Sequence, residues 1–114
     1  MNLAELIREL ELTVLTEYKD FTAVTPSGCY AADLLSCVMT GAPHNGVWLT
    51  LQAHGNIVAV SALLELSAII ITEGAMPEFA TIEKANAEGI TLLSTSLPTF
   101  TVAGRLWELG LRSE

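Results

Sequence analysis

From Val47 onward, short apolar runs alternate with segments of helical periodicity, and this alternation constrains the fold more than any other feature. Val47 to Leu51 reads as a strand. Gln52 to Asn56 is a tight polar turn, and Asn56 is placed to cap an apolar helix from Ile57 to Leu66. Ala68 to Thr72 contains three consecutive isoleucines, a run typical of a strand covered on both faces. Pro77 stands near the start of the next helix, which puts Phe79, Ile82 and Ala85 on one face, Glu83 and Lys84 outside, and Gly89 at its end. Ile90 to Leu93 is a further strand. Thr95 or Ser96 starts a last helix with Pro98 in its first turn, carrying Phe100, Ala103, Leu106 and Trp107 inward and ending near Gly110. Strands alternating with helices imply parallel strands joined by crossovers, with the helices on the sheet faces.

The first half of the chain reads less regularly. Leu3, Leu6, Ile7 and Leu10 recur at helical spacing behind Asn2, a natural N-cap. Leu12 to Thr16 alternates with the period of a strand. Tyr18 to Ser27 is polar and leads into the Pro26-Ser27-Gly28 turn. Gly28 to Ala32 is extended. Asp33 reads as the cap of a short helix carrying Leu34, Leu35, Val38 and Met39, and Gly41 to Gly46 as a loop in which His44, Asn45 and Gly46 make a turn. The expectation is an α/β layered domain, mostly parallel, of about four or five strands. At 114 residues it fits one domain spanning 1–114.

Composition removes whole classes of function. Five Lys+Arg against thirteen Asp+Glu give a net charge of −8. That argues against nucleic acid, which needs basic patches. The most membrane-like stretch, Ile57 to Thr72, is shorter than the roughly 20 residues a spanning helix needs and contains Glu65. The first ten residues carry acids and no basic leader, so we expect a cytoplasmic protein with no membrane partner. Two cysteines, Cys29 and Cys37, are too few for a disulfide scaffold and read as small buried hydrophobes. The acids Glu5, Glu9, Glu83, Glu88 and Glu108 are most simply solvated helix faces.

In open α/β sheets, ligands collect beyond the carboxyl ends of the parallel strands. Those ends supply Gln52, His54 and Asn56, then Glu73 and Gly74, then Ser94, Thr95 and Ser96. Two readings are open there: a small polar pocket at helix N-termini, or side chains that only cap helices and close turns. His54 with Glu73 is the one acid–base pair worth testing. No Gly-x-Ser-x-Gly elbow, CxxC, HExxH, GxGxxG or Walker lysine is present, and the only lysines are Lys19 and Lys84. The chain is therefore expected to have no catalytic residues, no metal and no cofactor.

A chain that is 51% hydrophobic and 16% charged, with mean hydropathy +0.48, has difficulty hiding its apolar groups at this size. Trp48, Phe100, Trp107, Leu109 and Leu111 are the candidates for exposure. Exposed apolar patches mark partner contacts, and a symmetric homodimer is the commonest outcome. The expected function is a non-catalytic interaction module that self-associates; the alternative is a small-ligand sensor, for a nucleotide or anion, at the strand ends.

Gly28-Cys29-Tyr30-Ala31-Ala32-Asp33-Leu34-Leu35-Ser36-Cys37-Val38-Met39 resembles the Gly-x-Tyr-x-x-Asp-Leu-Leu-Ser-x-Val-Met signature of the DRTGG domain family. The likeness continues through Val47 to Gln52, Asn56 to Val60, Ile69 to Gly74 and Leu92 to Thr95. It implies a three-layer α/β/α fold similar to the N-terminal domain of HPr kinase/phosphorylase. It also implies a dimer-forming regulatory part, of the kind found in regulated pyrophosphatases and some phosphotransacetylases. Stand-alone copies occur beside iron-only hydrogenase and redox genes, which implies an accessory role there and a protein partner. Tyr30, Asp33, Ser36, Asn56, Glu73 and Gly74 match the family's polar or special positions. The Asp-Arg-Thr-Gly-Gly run itself is absent; Val24-Thr25-Pro26-Ser27-Gly28-Cys29 stands near its place.

Overall fold

Three consecutive isoleucines sit at the centre of the structure because a strand with two covered faces needs apolar side chains at every position. The computed structural model describes residues 1–112. In chain order it contains α1 (Leu3–Glu9), β1 (Thr13–Val14), one 3-10 turn (Phe21–Ala23), β2 (Cys29–Ala31), α2 (Leu35–Gly41) and β3 (Val47–Thr50). There follow α3 (Asn56–Leu64), β4 (Ala68–Ile71), α4 (Phe79–Glu88), β5 (Leu92–Ser94) and α5 (Thr99–Glu108). The five strands form one sheet in the order β1-β5-β4-β3-β2, with β4 in the middle. β2 to β5 are parallel, and β1 runs antiparallel along the outer side of β5, Thr13 opposite Ser94 and Val14 opposite Leu93.

Alternation along the strands divides the core in two. Val47, Leu49, Ala68, Ile70 and Leu93 face one side and pack against Leu3, Leu6 and Leu10 from the α1 segment and Val102 and Leu106 of α5. Trp48, Ile69, Ile71 and Leu92 face the other side and meet Val38 of α2, Ile57, Val58 and Val60 of α3, and Ala85 of α4. The result is an α/β/α sandwich with α1 and α5 on one face and α2, α3 and α4 on the other. Helix α1 starts with the expected cap: Glu5 N–H donates to Asn2 Oδ1 at 2.9 Å, and Asn2 N–H donates to Glu5 Oε1 at 3.1 Å. Gly89 ends α4 in the left-handed region at φ 71°, as its place in the sequence implies.

Several expectations are corrected. Trp48 is fully buried, because the core takes its ring and its indole N–H donates to Ala32 O at 2.8 Å. Leu111 is buried too, against the α1 and α5 cluster. Phe100, read from periodicity as inward and from composition as exposed, is 89% exposed, and Phe79, read as inward, is 73% exposed. In α5 Leu106 is inward as read and Val102, a turn before it, joins it; in α4 Ala85 is inward as read, with Thr81. Trp107, read from periodicity as inward and from composition as exposed, is 59% exposed. Helix α5 begins at Thr99 behind Pro98, later than Thr95 or Ser96, and Gly41 belongs to α2. Among the described residues, no helix is long and apolar enough to cross a membrane.

Candidate functional site

All four parallel strands open onto the same edge of the sheet, so the connections after β2, β3, β4 and β5 meet there. Apart from Ser94, the last residue of β5, every candidate residue read from the strand ends lies in these connections or at the helix starts they feed. What the side chains do there differs from capping as the sequence implied it.

Asp33 does not cap α2; the position before that helix is Leu34, which makes no side-chain cap bond. Instead Asp33 Oδ1 accepts from Thr50 Oγ1 at 2.8 Å and from Leu51 N–H at 2.9 Å, tying the exit of β2 to the exit of β3. Gln52 reinforces this tie: its side-chain amide donates to Asp33 O, and its N–H donates to Thr50 Oγ1 at 3.1 Å. Asn56 is the first residue of α3, behind Gly55, and its side chain does not cap the helix. Asn56 Oδ1 lies 3.0 Å from His54 Nδ1, and Asn56 N–H donates to the same ring nitrogen at 3.3 Å.

Glu73 adopts φ 63°, a left-handed conformation uncommon outside glycine, and Gly74 follows at φ 74°. The pair reverses the chain tightly enough for Glu73 N–H to reach Leu97 O at 2.9 Å and Gly74 N–H to reach Thr95 O at 3.1 Å. Glu73 Oε2 then accepts from Thr99 N–H at 2.9 Å, placing a carboxylate at the N-terminus of α5, where the helix dipole favours it. Thr72 and Thr99 hydroxyls meet at 2.6 Å beneath it. Thr95 closes its own turn, accepting from Leu97 N–H at 3.2 Å. His54 and Glu73 are thus held by different partners and make no bond to one another.

Of the family-type positions, Tyr30 is half-buried against the α2, α3 and α4 layer, and its ring lies over Gly41, where an added Cβ would come within 2.5 Å. That contact accounts for glycine at the end of α2. Ser36 is exposed on α2, and its carbonyl accepts from Thr40 Oγ1 at 3.2 Å. A shallow groove of about 500 Å³ opens between the β3–α3 and β4–α4 connections, lined by Ala53, His54, Gly55, Met76, Glu78, Ala80, Thr81 and Lys84. Among the described residues, no three or more His, Cys, Asp or Glu are grouped to hold a metal ion.

Large apolar side chains stand among these polar groups. Leu34, Leu51, Met76, Phe79 and Phe100 are all exposed at this edge, one or more from each connection or the helix turn it enters. Sequence reasoning missed this rim, although one large apolar residue beside each polar turn was a visible signal. It also missed Thr50, Thr72 and Thr99, whose partners come from other strands or helices.

No family model matches the chain, and no curated protein matches it. A solved structure does: the CBS and DRTGG domains of the regulatory region of a Clostridium perfringens pyrophosphatase, crystallised with its activator diadenosine tetraphosphate. The TM-score is 0.74 at 20% identity, and the match covers 90% of this chain and 44% of that one. The chain has a DRTGG-like fold. Within that DRTGG-like fold, Val24 to Cys29, near the place of the absent name-giving run, lies before and at the start of β2, at the opposite edge of the sheet. There Asn45 Nδ2 donates to Thr25 O at 2.9 Å, and Ser27 N–H donates to Asn45 O at 3.0 Å. The segment is fastened to the loop before β3.

Proposed function

We propose that this chain is a non-catalytic regulatory module that acts by association and forms a homodimer. One observation carries the reading. At the edge where this class of sheet would bind a ligand, the polar side chains hold the protein's own backbone, while large apolar side chains stand in solvent. An acid–base pair needs two groups within reach of one substrate, and His54 and Glu73 are each engaged elsewhere.

The flank of α5 against β2 suits the symmetric contact. β2 is the last strand on its side of the sheet, and a trough of about 230 Å³ beside it includes Ala31, Ala103, Leu106, Trp107 and Leu111. Trp is among the side chains most often dominant at interfaces. Light scattering of the wild-type chain and of Trp107→Glu tests the assignment. A dimer that Trp107→Glu converts to monomer supports it, and a wild-type monomer at high micromolar concentration overturns it.

A second reading has its own support. The groove beside His54 and Lys84 has room for a small ligand, and the pyrophosphatase regulatory region was crystallised with a dinucleotide activator. Against it, Glu78 lines the same groove and Glu73 already occupies the N-terminus of α5. A thermal-shift series with diadenosine tetraphosphate, ATP and phosphate separates the two readings. A ligand at a hundred times its Kd adds about 2.7 kcal/mol of stability, so a flat response removes the sensor.

A further inference from the structure

The connections at the carboxyl edge are residues 32–34, 51–55, 72–78 and 95–98, and they contain no lysine or arginine. They contain three exposed carboxylates, Asp33, Glu73 and Glu78. Two cations stand close by among the described residues: Lys84, on the wall of the groove, and Arg105, which lines a second pocket with Thr95, Ser96 and Leu97 and donates to Glu9 O at 2.8 Å. Between and beside these acids stand Leu34, Leu51, Met76, Phe79 and Phe100. The edge is therefore an apolar rim set in negative charge.

That combination decides which partner fits. A second copy meeting this edge about a two-fold axis would set the same acidic patch on both sides of the contact, since an isologous contact pairs a patch with itself. Like charges facing one another across an interface oppose association. A surface of opposite sign avoids this and gains from the two exposed phenyl faces, which attract lysine and arginine through their ring quadrupoles. We propose that the carboxyl edge docks a segment of another protein in which apolar side chains are flanked by lysine or arginine. This rests on the reading that the chain acts by association, and it adds a second, unlike partner at a surface separate from the α5 flank.

The test uses the full chain and two labelled synthetic helical peptides, one with a leucine face and lysine elsewhere, the other with glutamate in place of every lysine. Fluorescence polarisation reads binding to the wild type, to Phe79→Ser/Phe100→Ser and to Leu63→Ser, whose exposed leucine lies on α3 away from the rim. All three proteins keep the same net charge. The expected result is that the lysine peptide binds at least about tenfold more tightly than the glutamate peptide. The rim variant should lose about tenfold while Leu63→Ser binds as the wild type does. Raising salt from about 0.1 M to about 1 M, which shortens the screening length from about 10 Å to about 3 Å, should weaken the complex.

Lysine-peptide binding that survives in the rim variant is unspecific attraction to an acidic protein and overturns the proposal. Equal binding of both peptides, or of neither, overturns it too. If the rim variant instead turns a wild-type dimer into a monomer by light scattering, a second copy occupies the edge and the unlike partner is wrong. Loss of the dimer in Trp107→Glu with peptide binding intact leaves this proposal standing and speaks only to the homodimer.

Discussion

The two cysteines occupy opposite environments, and their chemistry should separate accordingly. Desolvation pushes the Cys29 thiol up from 9.0 to about 12, while Cys37 is exposed on α2. At pH 8, iodoacetamide should modify Cys37 alone by mass spectrometry, and Cys29 only after denaturant is added, because the thiolate is the reactive form. The same shift has a stability consequence. Between pH 9 and about 12 the unfolded chain gives up this proton and the folded chain keeps it, so stability falls as pH rises through that window. The melting temperature of Cys29→Ala should fall less steeply there than that of the wild type. Asp33→Ala removes an acceptor from Thr50 Oγ1 and Leu51 N–H together and should cost about 1–3 kcal/mol in urea denaturation. Asn56→Ala should cost less than the roughly 0.5–2 kcal/mol typical of a lost N-cap, since its side chain caps nothing. Both residues were legible as polar positions beside helix starts. Their partners were not, because Asp33 bonds across to the next strand and a linear pattern does not say which strand that is.

The elements after Val47 follow the sequence closely because short apolar runs, buried on both faces, alternate with helical stretches. β3, β4 and β5 form the middle of the sheet, and the triple isoleucine marks the central strand. Ile70→Ala should cost about 2–5 kcal/mol, the range for truncating a buried isoleucine. The helices were placed correctly in order and in part in face: Ala85 of α4 and Leu106 of α5 are inward as read. The reading of α5 set Phe100 and Trp107, its largest apolar residues, inward beside Ala103 and Leu106, whereas the structure buries Val102 with Leu106 and leaves both aromatics outside. Periodicity identifies a stripe, and two stripes less than a turn apart compete when the outer one is also apolar. Helix starts were misjudged wherever a turn residue of capping type proved to bond elsewhere, as with Asp33, Asn56 and Thr95. The N-terminus of α5 is held by an element the sequence does not place beside it: Glu73, in the β4–α4 connection. Glu73→Gln keeps the acceptor and removes the charge, so the loss should be about 0.3–1 kcal/mol, diminishing with added salt.

For the molecule as a whole, the apolar surplus of the sequence is divided, among the described residues, between a two-sided core and ten exposed large apolar side chains, five of which share the carboxyl edge. Composition made the surplus legible; only the fold shows that these five residues, far apart in sequence, share one edge. The two tryptophans offer a local readout of association, because Trp48 is enclosed and Trp107 is accessible under Arg112, whose guanidinium lies 4.6 Å from the ring. In Trp48→Phe, emission from Trp107 should shift to the blue as concentration rises if the α5 flank closes against a second copy. Sedimentation velocity from low to high micromolar concentration tests the account of this chain most directly. It should give a reversible boundary moving toward twice the 12.2 kDa chain mass, returned to a single chain mass by Trp107→Glu. One species of 12.2 kDa at every concentration would contradict it.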